Sequence, residues 1–68
     1  MTHPNLGLYI SRSNPEALVY VTAVEDVMVY FKIHSPGAPV PKPGSGYDIR
    51  DTIPRFNQAW EALLIVEA

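Results

Sequence analysis

LVYVTAVEDVMVYFKI, residues Leu18 to Ile33, is the stretch that decides the fold. Nearly all of its residues are β-branched, aromatic or small and apolar, a composition typical of strands. Two adjacent acids, Glu25 and Asp26, interrupt the run at its middle and are costly to bury. The sequence therefore predicts two antiparallel strands that reverse at Glu25-Asp26.

The turn of this hairpin lacks the glycine or asparagine that tight hairpin turns favour, because Val27 follows Glu25-Asp26. A β-branched residue tolerates positive φ poorly. We therefore expect Asp26 to be the left-handed residue, or the turn to be a wider type I form.

The two strands divide their side chains differently between the faces of the sheet. In the first strand, alternation puts Leu18, Tyr20, Thr22 and Val24 on one face and Val19, Val21 and Ala23 on the other. In the second, it puts Val27, Val29, Phe31 and Ile33 on one face and Met28, Tyr30, Lys32 and His34 on the other. The first strand is apolar on both faces, so we expect it to be central or to have its outer face covered by a partner.

The remaining segments are shorter or irregular. Residues 1–5 predict a frayed lead-in, and the alternation from Leu6 to Ser11 predicts a short strand that ends in a turn-rich segment. Residues 35–46 hold four prolines and three glycines, which predicts an exposed loop with polyproline-like character.

The carboxyl-terminal part predicts a helix after a brief strand over Tyr47 to Arg50. Asp51-Thr52 offers N-cap side chains, and Pro54 suits the first turn of a helix. The apolar stripe of this helix would be Ile53, Phe56, Ala59 or Trp60, and Leu63. The run 63–66 fits either the last helical turn or a short closing strand after a helix that ends near Trp60, and residues 61–68 are left open between the two.

These elements predict an α+β, mostly β fold: a small curled antiparallel sheet or partly open barrel of three to five short strands with one C-terminal helix. The strands around Leu8-Tyr9-Ile10, Val19 to Asp26 and Val29-Tyr30-Phe31, followed by a helix that opens at Thr52, resemble the small Src-homology-3-like barrels of phage and mobile elements. In those proteins the hairpin turns at an acid-glycine step, where this chain has Val27. The resemblance implies a fold and assigns no site residues.

Length and composition bound the class of protein. A chain of 68 residues predicts one domain, 1–68. The apolar surface that so short a chain buries barely offsets the entropy of ordering it, and without cysteine it has no disulfide to help. With 47% hydrophobic residues, self-association as a homodimer is the expected remedy.

The net charge of −2 gives no long-range attraction to nucleic acid or to anionic membranes. The amino-terminal residues lack the basic segment and apolar core of a signal peptide, and no apolar run is long enough to span a bilayer. We therefore expect a cytoplasmic protein that does not act on membranes.

The residues that could carry chemistry do not form a motif. His3 and His34 lack metal-ligand spacing, and the serines lie in turn or loop segments where conformation alone explains them. Gly44-Ser45-Gly46 is not followed by a helix, so it does not predict a phosphate loop. We expect no enzyme activity, no cofactor and no metal.

Three functional hypotheses follow. The first is a non-enzymatic binding module that acts through protein-protein contacts and self-association, with exposed apolar residues at Val19, Val21, Met28 and Tyr30 as its interaction surface. The alternative is a nucleic-acid-binding accessory protein, disfavoured because the basic residues are scattered among seven acids. The third is an oligomeric enzyme whose site forms at a symmetry axis beside His34 or Tyr47.

The proline-rich loop has two interpretations of its own. Pro39 and Pro41 could present an extended segment to an aromatic groove on a partner. The interpretation we favour is a stiff connector whose prolines lower the entropy of the unfolded chain and guard a sheet edge.

Overall fold

The computed structural model describes residues 3–65, with side chains as far as Leu63. In chain order the elements are β1 (Gly7–Ser11), β2 (Leu18–Glu25), β3 (Met28–His34), β4 (Ile49–Thr52), α1 (Ile53–Ala59) and β5 (Trp60–Ile65). The strands form one antiparallel sheet in the order β4-β3-β2-β1-β5, curled into a half-barrel. This confirms the predicted α+β, mostly β class.

The central hairpin forms as predicted, but its turn lies one residue later. Glu25 pairs with Met28, so that Asp26 and Val27 form the turn. Asp26 has φ 47°, which confirms that the acid and not the β-branched valine takes the left-handed conformation.

A β-bulge at Thr22 changes which side chains share a face of β2. Val21 pairs with Phe31 and Ala23 pairs with Tyr30, so Thr22 is the extra residue. Beyond the bulge Val24 pairs with Val29 and packs against the core on the same face as Val21. The predicted grouping of Val24 with Tyr20 is therefore wrong, because strict alternation does not hold across a bulge.

The core lies between the sheet and α1, on the face of the sheet that we call the core face. Its buried members are Tyr9, Val19, Val21, Val29, Phe31, Ile53 and Phe56. Phe56 is completely buried, and its ring makes edge contacts with Tyr9 and Phe31 at centroid distances of 5.0 and 5.1 Å. Such aromatic pairs add stability beyond their buried area, so Phe56 anchors the helix to the sheet.

The helix α1 begins where predicted, but by another means. Thr52 makes no side-chain capping bond. Instead the Ile53 backbone N–H donates to the carbonyl of Val27 in the hairpin turn, at 2.9 Å. A tertiary hydrogen bond thus satisfies one of the amide groups that every helix leaves without an internal partner.

The helix ends at Ala59, and the chain continues directly into β5. Of the two alternatives for the end of the chain, the structure shows the closing strand, as far as Ile65; residues 66–68 lie outside the described part. Leu63 belongs to β5 and not to a helical stripe. Arg12 fastens this junction, because its backbone N–H donates to the Ala59 carbonyl and its guanidinium lies 3.7 Å from Glu61.

The proline-rich loop contains two Pro-Gly turns and returns to the sheet. Gly37 and Gly44 each follow a proline and have φ of 83° and 75°, as the third residue of a type II turn requires. The Gly44 N–H donates to the Thr22 carbonyl at 2.7 Å, and the Thr22 hydroxyl donates to the Gly46 carbonyl at 2.6 Å. We call the face of the sheet opposite the core the outer face. Thr22, the bulge residue, therefore holds the loop against the outer face.

The lead-in also contacts the barrel in its described part, because the Asn5 carbonyl accepts a hydrogen bond from the buried Tyr9 hydroxyl. Residues 1 and 2 lie outside the described part. Within residues 3–65, no helix has the length and hydropathy needed to cross a bilayer.

Candidate interaction surfaces

The helix is too short to cover the sheet on which it packs. Seven residues of α-helix extend about 10 Å, whereas the seven residues of β3 extend about 23 Å. Val29 and Phe31 lie under the helix and are buried, but Ile33, next on the same face, is 65% exposed. One end of the core face is therefore open.

A groove of about 400 Å³ occupies this open end. We call it the end groove; it is lined by Glu16, Ala17, Leu18, Val19, Ile33, His34, Ser35, Pro36, Ile49 and Trp60. Ile33 and Ile49 are exposed on one side, and the half-buried ring of Trp60 packs against Phe31 at 6.0 Å. The groove joins apolar side chains from both arms of the hairpin, β4 and the start of β5.

The predicted interaction residues lie in different places. Val19 and Val21 are 2% and 1% exposed in the core, so the expectation that they are exposed is wrong: the helix covers the face on which they lie. Val19 also forms part of the lining of the end groove. Met28 and Tyr30 lie half-buried on the outer face, and their role in binding stays a prediction.

The two loop prolines that the sequence singled out are placed on the surface. Pro39 is exposed and Pro41 is half-buried, in the part of the loop between its two turns. Neither belongs to the end groove.

A second cavity lies between the outer face and the end of the proline-rich loop. We call it the loop cavity; its volume is about 400 Å³ and it is lined by Thr22, Ala23, Glu25, Tyr30, Gly44, Gly46 and Tyr47. The rings of Tyr30 and Tyr47 contact each other with centroids 4.8 Å apart, and Tyr47 stays 50% exposed. This part of the loop thus presents an aromatic surface to solvent.

The polar side chains have local structural explanations. The Ser11 hydroxyl accepts hydrogen bonds from the backbone N–H groups of Ser13 and Asn14, and the Asn14 side chain accepts one from Glu16. These are turn-stabilising bonds of the kind that serine and asparagine favour. In the described part of the chain, no three His, Asp or Glu side chains lie together as metal ligands would.

Tyr9 is a buried side chain whose ionisation the fold opposes. Burial raises the pKa of Tyr9 above its ordinary value, because the charged phenolate is costly to bury. A cavity beside it is lined by His3, Pro4, Asn5, Tyr9, Arg12, Asn57, Trp60 and Ala62. Since the hydroxyl is occupied by the Asn5 carbonyl, we interpret Tyr9 as a core residue.

The end groove includes residues that the sequence analysis did not select. The sequence groups Ile33 with Val29 and Phe31 on one apolar face, and it offers Trp60 as an alternative to Ala59 in the helical stripe. The signal that could have found them is the helix length: a helix that ends near Trp60 leaves one end of a seven-residue strand bare.

Comparison with protein-family models, with curated proteins and with solved structures found no match to this chain.

Proposed function

We propose that this chain is a non-enzymatic binding module that acts through protein-protein contacts, and that the end groove is its docking surface. The observation that carries the proposal is Ile33, a large apolar side chain that is 65% exposed on the core face of the sheet. Exposed apolar surface beside a groove is typical of interaction sites.

The composition of the groove supports this function. Trp60 lies at its edge, and tryptophan is enriched among residues that contribute most to interface binding energy. Ile33, Ile49 and Pro36 add apolar surface around it. A partner that covers these side chains gains the burial that α1 does not provide.

We further propose that the first partner is a second copy of the chain. The groove carries one carboxylate, Glu16, and one imidazole, His34, whose N–H group can donate a hydrogen bond to a carboxylate. In a two-fold dimer each contact occurs twice, so Glu16 of one protomer can face His34 of the other. A 68-residue chain without cysteine also gains the stability that its small core lacks.

Two broader assignments belong to the same proposal. From the curled five-stranded sheet we also propose a relationship, at the level of architecture, to small Src-homology-3-like barrels of phage and mobile elements. A chain that contains no cysteine is compatible with the reducing conditions of the cytoplasm, where we place it.

Sedimentation velocity over a range of concentrations tests self-association. We expect a reversible dimer, and we expect Ile33→Thr to raise its dissociation constant at least about tenfold, because each dimer loses two buried apolar groups. Threonine keeps the β-branched shape that suits a strand. Thermal unfolding of the variant establishes that the fold persists.

The matched control is Val27→Thr. Val27 is also β-branched and 65% exposed, but it lies in the hairpin turn outside the end groove. We expect this variant to dimerise as the unchanged protein does. A protein that stays monomeric at all concentrations, or a dimer that both substitutions weaken equally, would contradict the proposal.

A further inference from the structure

The five basic side chains of the chain fall into two groups. Arg12 lies 3.7 Å from Glu61, and Arg55 lies 3.9 Å from Asp51, so these two have acidic partners. The remaining three are Lys32, Lys42 and Arg50, and none has an acidic partner at ion-pair distance among residues 3–65. The basic residues that are scattered in the sequence therefore separate, in the fold, into two that are paired with acids and three that are not.

The three unpaired basic residues belong to the outer face or to the loop held against it. Arg50 pairs across strands with Tyr30, and Lys32 lies two residues further along β3 on the same face. The Lys32 side chain lies beside Gly46 in the loop, close to where a side chain at that position would be. Lys42 lies in the same loop, and its carbonyl closes the turn that leads to the Thr22 contact.

Aromatic side chains lie among these charges. Tyr47 covers the ring of Tyr30 at 4.8 Å while half of its surface stays exposed. Tyr20 pairs with Lys32 but is buried, so its ring does not take part in stacking. An exposed aromatic ring beside unpaired cations is the arrangement that binds a stacked base together with its flanking phosphates.

Two acidic residues lie near the same surface and weaken its attraction for phosphate groups. Glu25 lines the loop cavity from the hairpin tip, two pairs beyond the pair that Tyr30 forms with Ala23. Asp48 is exposed, and its carboxylate accepts a hydrogen bond from the Ile33 backbone N–H. The three cations therefore outnumber the acids by a single charge, which predicts weak binding that salt abolishes readily.

We propose that the outer face is a binding site for short single-stranded nucleic acid. Bases stack on Tyr47 above Tyr30, and Lys32, Lys42 and Arg50 contact the phosphates. The residues assigned to this site do not line the end groove, so either proposal can fail while the other holds.

Fluorescence anisotropy with a labelled oligothymidine at low salt, followed by a salt titration, tests the site. We expect measurable binding whose affinity falls as salt rises. Lys32→Gln and Arg50→Gln should each weaken binding and lower the slope against salt by about 0.7, the value of one phosphate contact on a single strand. The matched control is Arg55→Gln, which removes the same charge from the exposed surface of α1 and should leave the affinity unchanged.

Variants of Tyr47 distinguish base stacking from a general attraction to polyanions. We expect Tyr47→Ala to weaken binding about 5- to 150-fold, the loss of one stacked base, while Tyr47→Phe retains it. Glu25→Gln should strengthen binding, because it removes an acid beside the ring. The proposal is overturned if the oligonucleotide does not bind at low salt, if Arg55→Gln weakens binding as much as Arg50→Gln, or if Tyr47→Ala has no effect.

Discussion

At the residue scale, the fold depends on one aromatic side chain from a short helix. Phe56 is completely buried and contacts Tyr9 and Phe31 by their edges, while the ring of Trp60 stacks on it at 6.3 Å. These partners come from β1, β3 and β5. One side chain thereby holds the helix to strands from most of the sheet.

We expect Phe56→Ala to lower the free energy of unfolding by about 3–5 kcal/mol, the usual cost of removing a buried phenylalanine. Small domains are stabilised by roughly 5 kcal/mol in total, so this variant should be largely unfolded. Urea unfolding followed by circular dichroism measures the loss, with Phe56→Leu as the milder variant. A loss below about 1 kcal/mol in Phe56→Ala would contradict the packing described above.

Tyr9 gives the protein a stability that depends on pH. Its pKa in the folded state lies above the ordinary value of 10.0, chiefly because burial opposes the charged form. Below pH 10 the phenol is neutral in both the folded and the unfolded state, and Tyr9 makes its full contribution to the free energy of unfolding. As pH rises above 10, Tyr9 ionises first in the unfolded chain. The free energy of unfolding therefore falls until the pH reaches the pKa of Tyr9 in the folded state.

Tyr9→Phe tests this linkage through unfolding curves at several pH values. We expect the variant to be less stable by about 1 kcal/mol at neutral pH, because the hydrogen bond to the Asn5 carbonyl is missing. Above pH 10 the difference should shrink, since phenylalanine cannot ionise. A difference that stays constant across this range would show that Tyr9 ionises equally readily in both states.

At the element scale, the bulge and the proline-rich loop form one unit. Thr22 is 2% exposed, and it both accepts the Gly44 N–H and donates its hydroxyl to the Gly46 carbonyl. The contact helps to explain how β2, which is apolar on both faces, is covered on both sides. The helix covers part of the core face, and the loop covers part of the outer face.

We expect Thr22→Val to lower the free energy of unfolding by about 1 kcal/mol and to loosen the loop, because valine keeps the shape of threonine but cannot donate to Gly46. Hydrogen exchange at the Gly44 amide measures the loosening directly. Thr22→Ser retains the hydroxyl and should retain the protection of that amide. Equal exchange rates at Gly44 in Thr22→Val and the unchanged protein would show that the hydroxyl does not hold the loop.

How much the sequence predicts differs between local and long-range features. The hairpin, the left-handed Asp26 and the fold class follow from residue types and alternation, which act over a few neighbours. The bulge at Thr22 does not follow, and the hydroxyl of this residue donates to the Gly46 carbonyl 24 residues away, a contact that local patterns do not reveal. The end of α1 does not follow either, because periodicity over so short a run does not distinguish a last helical turn from a strand.

For the candidate sites, too, the sequence predicts local features and misses those that depend on long-range contacts. Ile33 belongs to the predicted apolar face, but its exposure depends on how far α1 extends across the sheet. Val19 and Val21 were expected to be exposed because periodicity identifies two faces without showing which one the helix covers. The partner of Arg12 could be known only once the fold placed Glu61 beside it, whereas Asp51 lies only four residues before Arg55.

At the scale of the whole molecule, the protein is a half-barrel that its own helix covers incompletely. The end groove is the consequence, with Ile33 and Ile49 exposed where a longer helix would have buried them. Self-association covers this surface and supplements a small core. The central claim is therefore that the end groove is the surface at which two copies meet.

The most direct measurement of this claim is a set of two-dimensional NMR spectra across a dilution series. We expect the backbone amides of Ile33 and Ile49 and the indole N–H of Trp60 to shift with concentration, whereas the amides of Val27 and Tyr47 stay in place. Shifts that are absent, or that concentrate at Val27 or Tyr47 while the end groove stays unchanged, would contradict it.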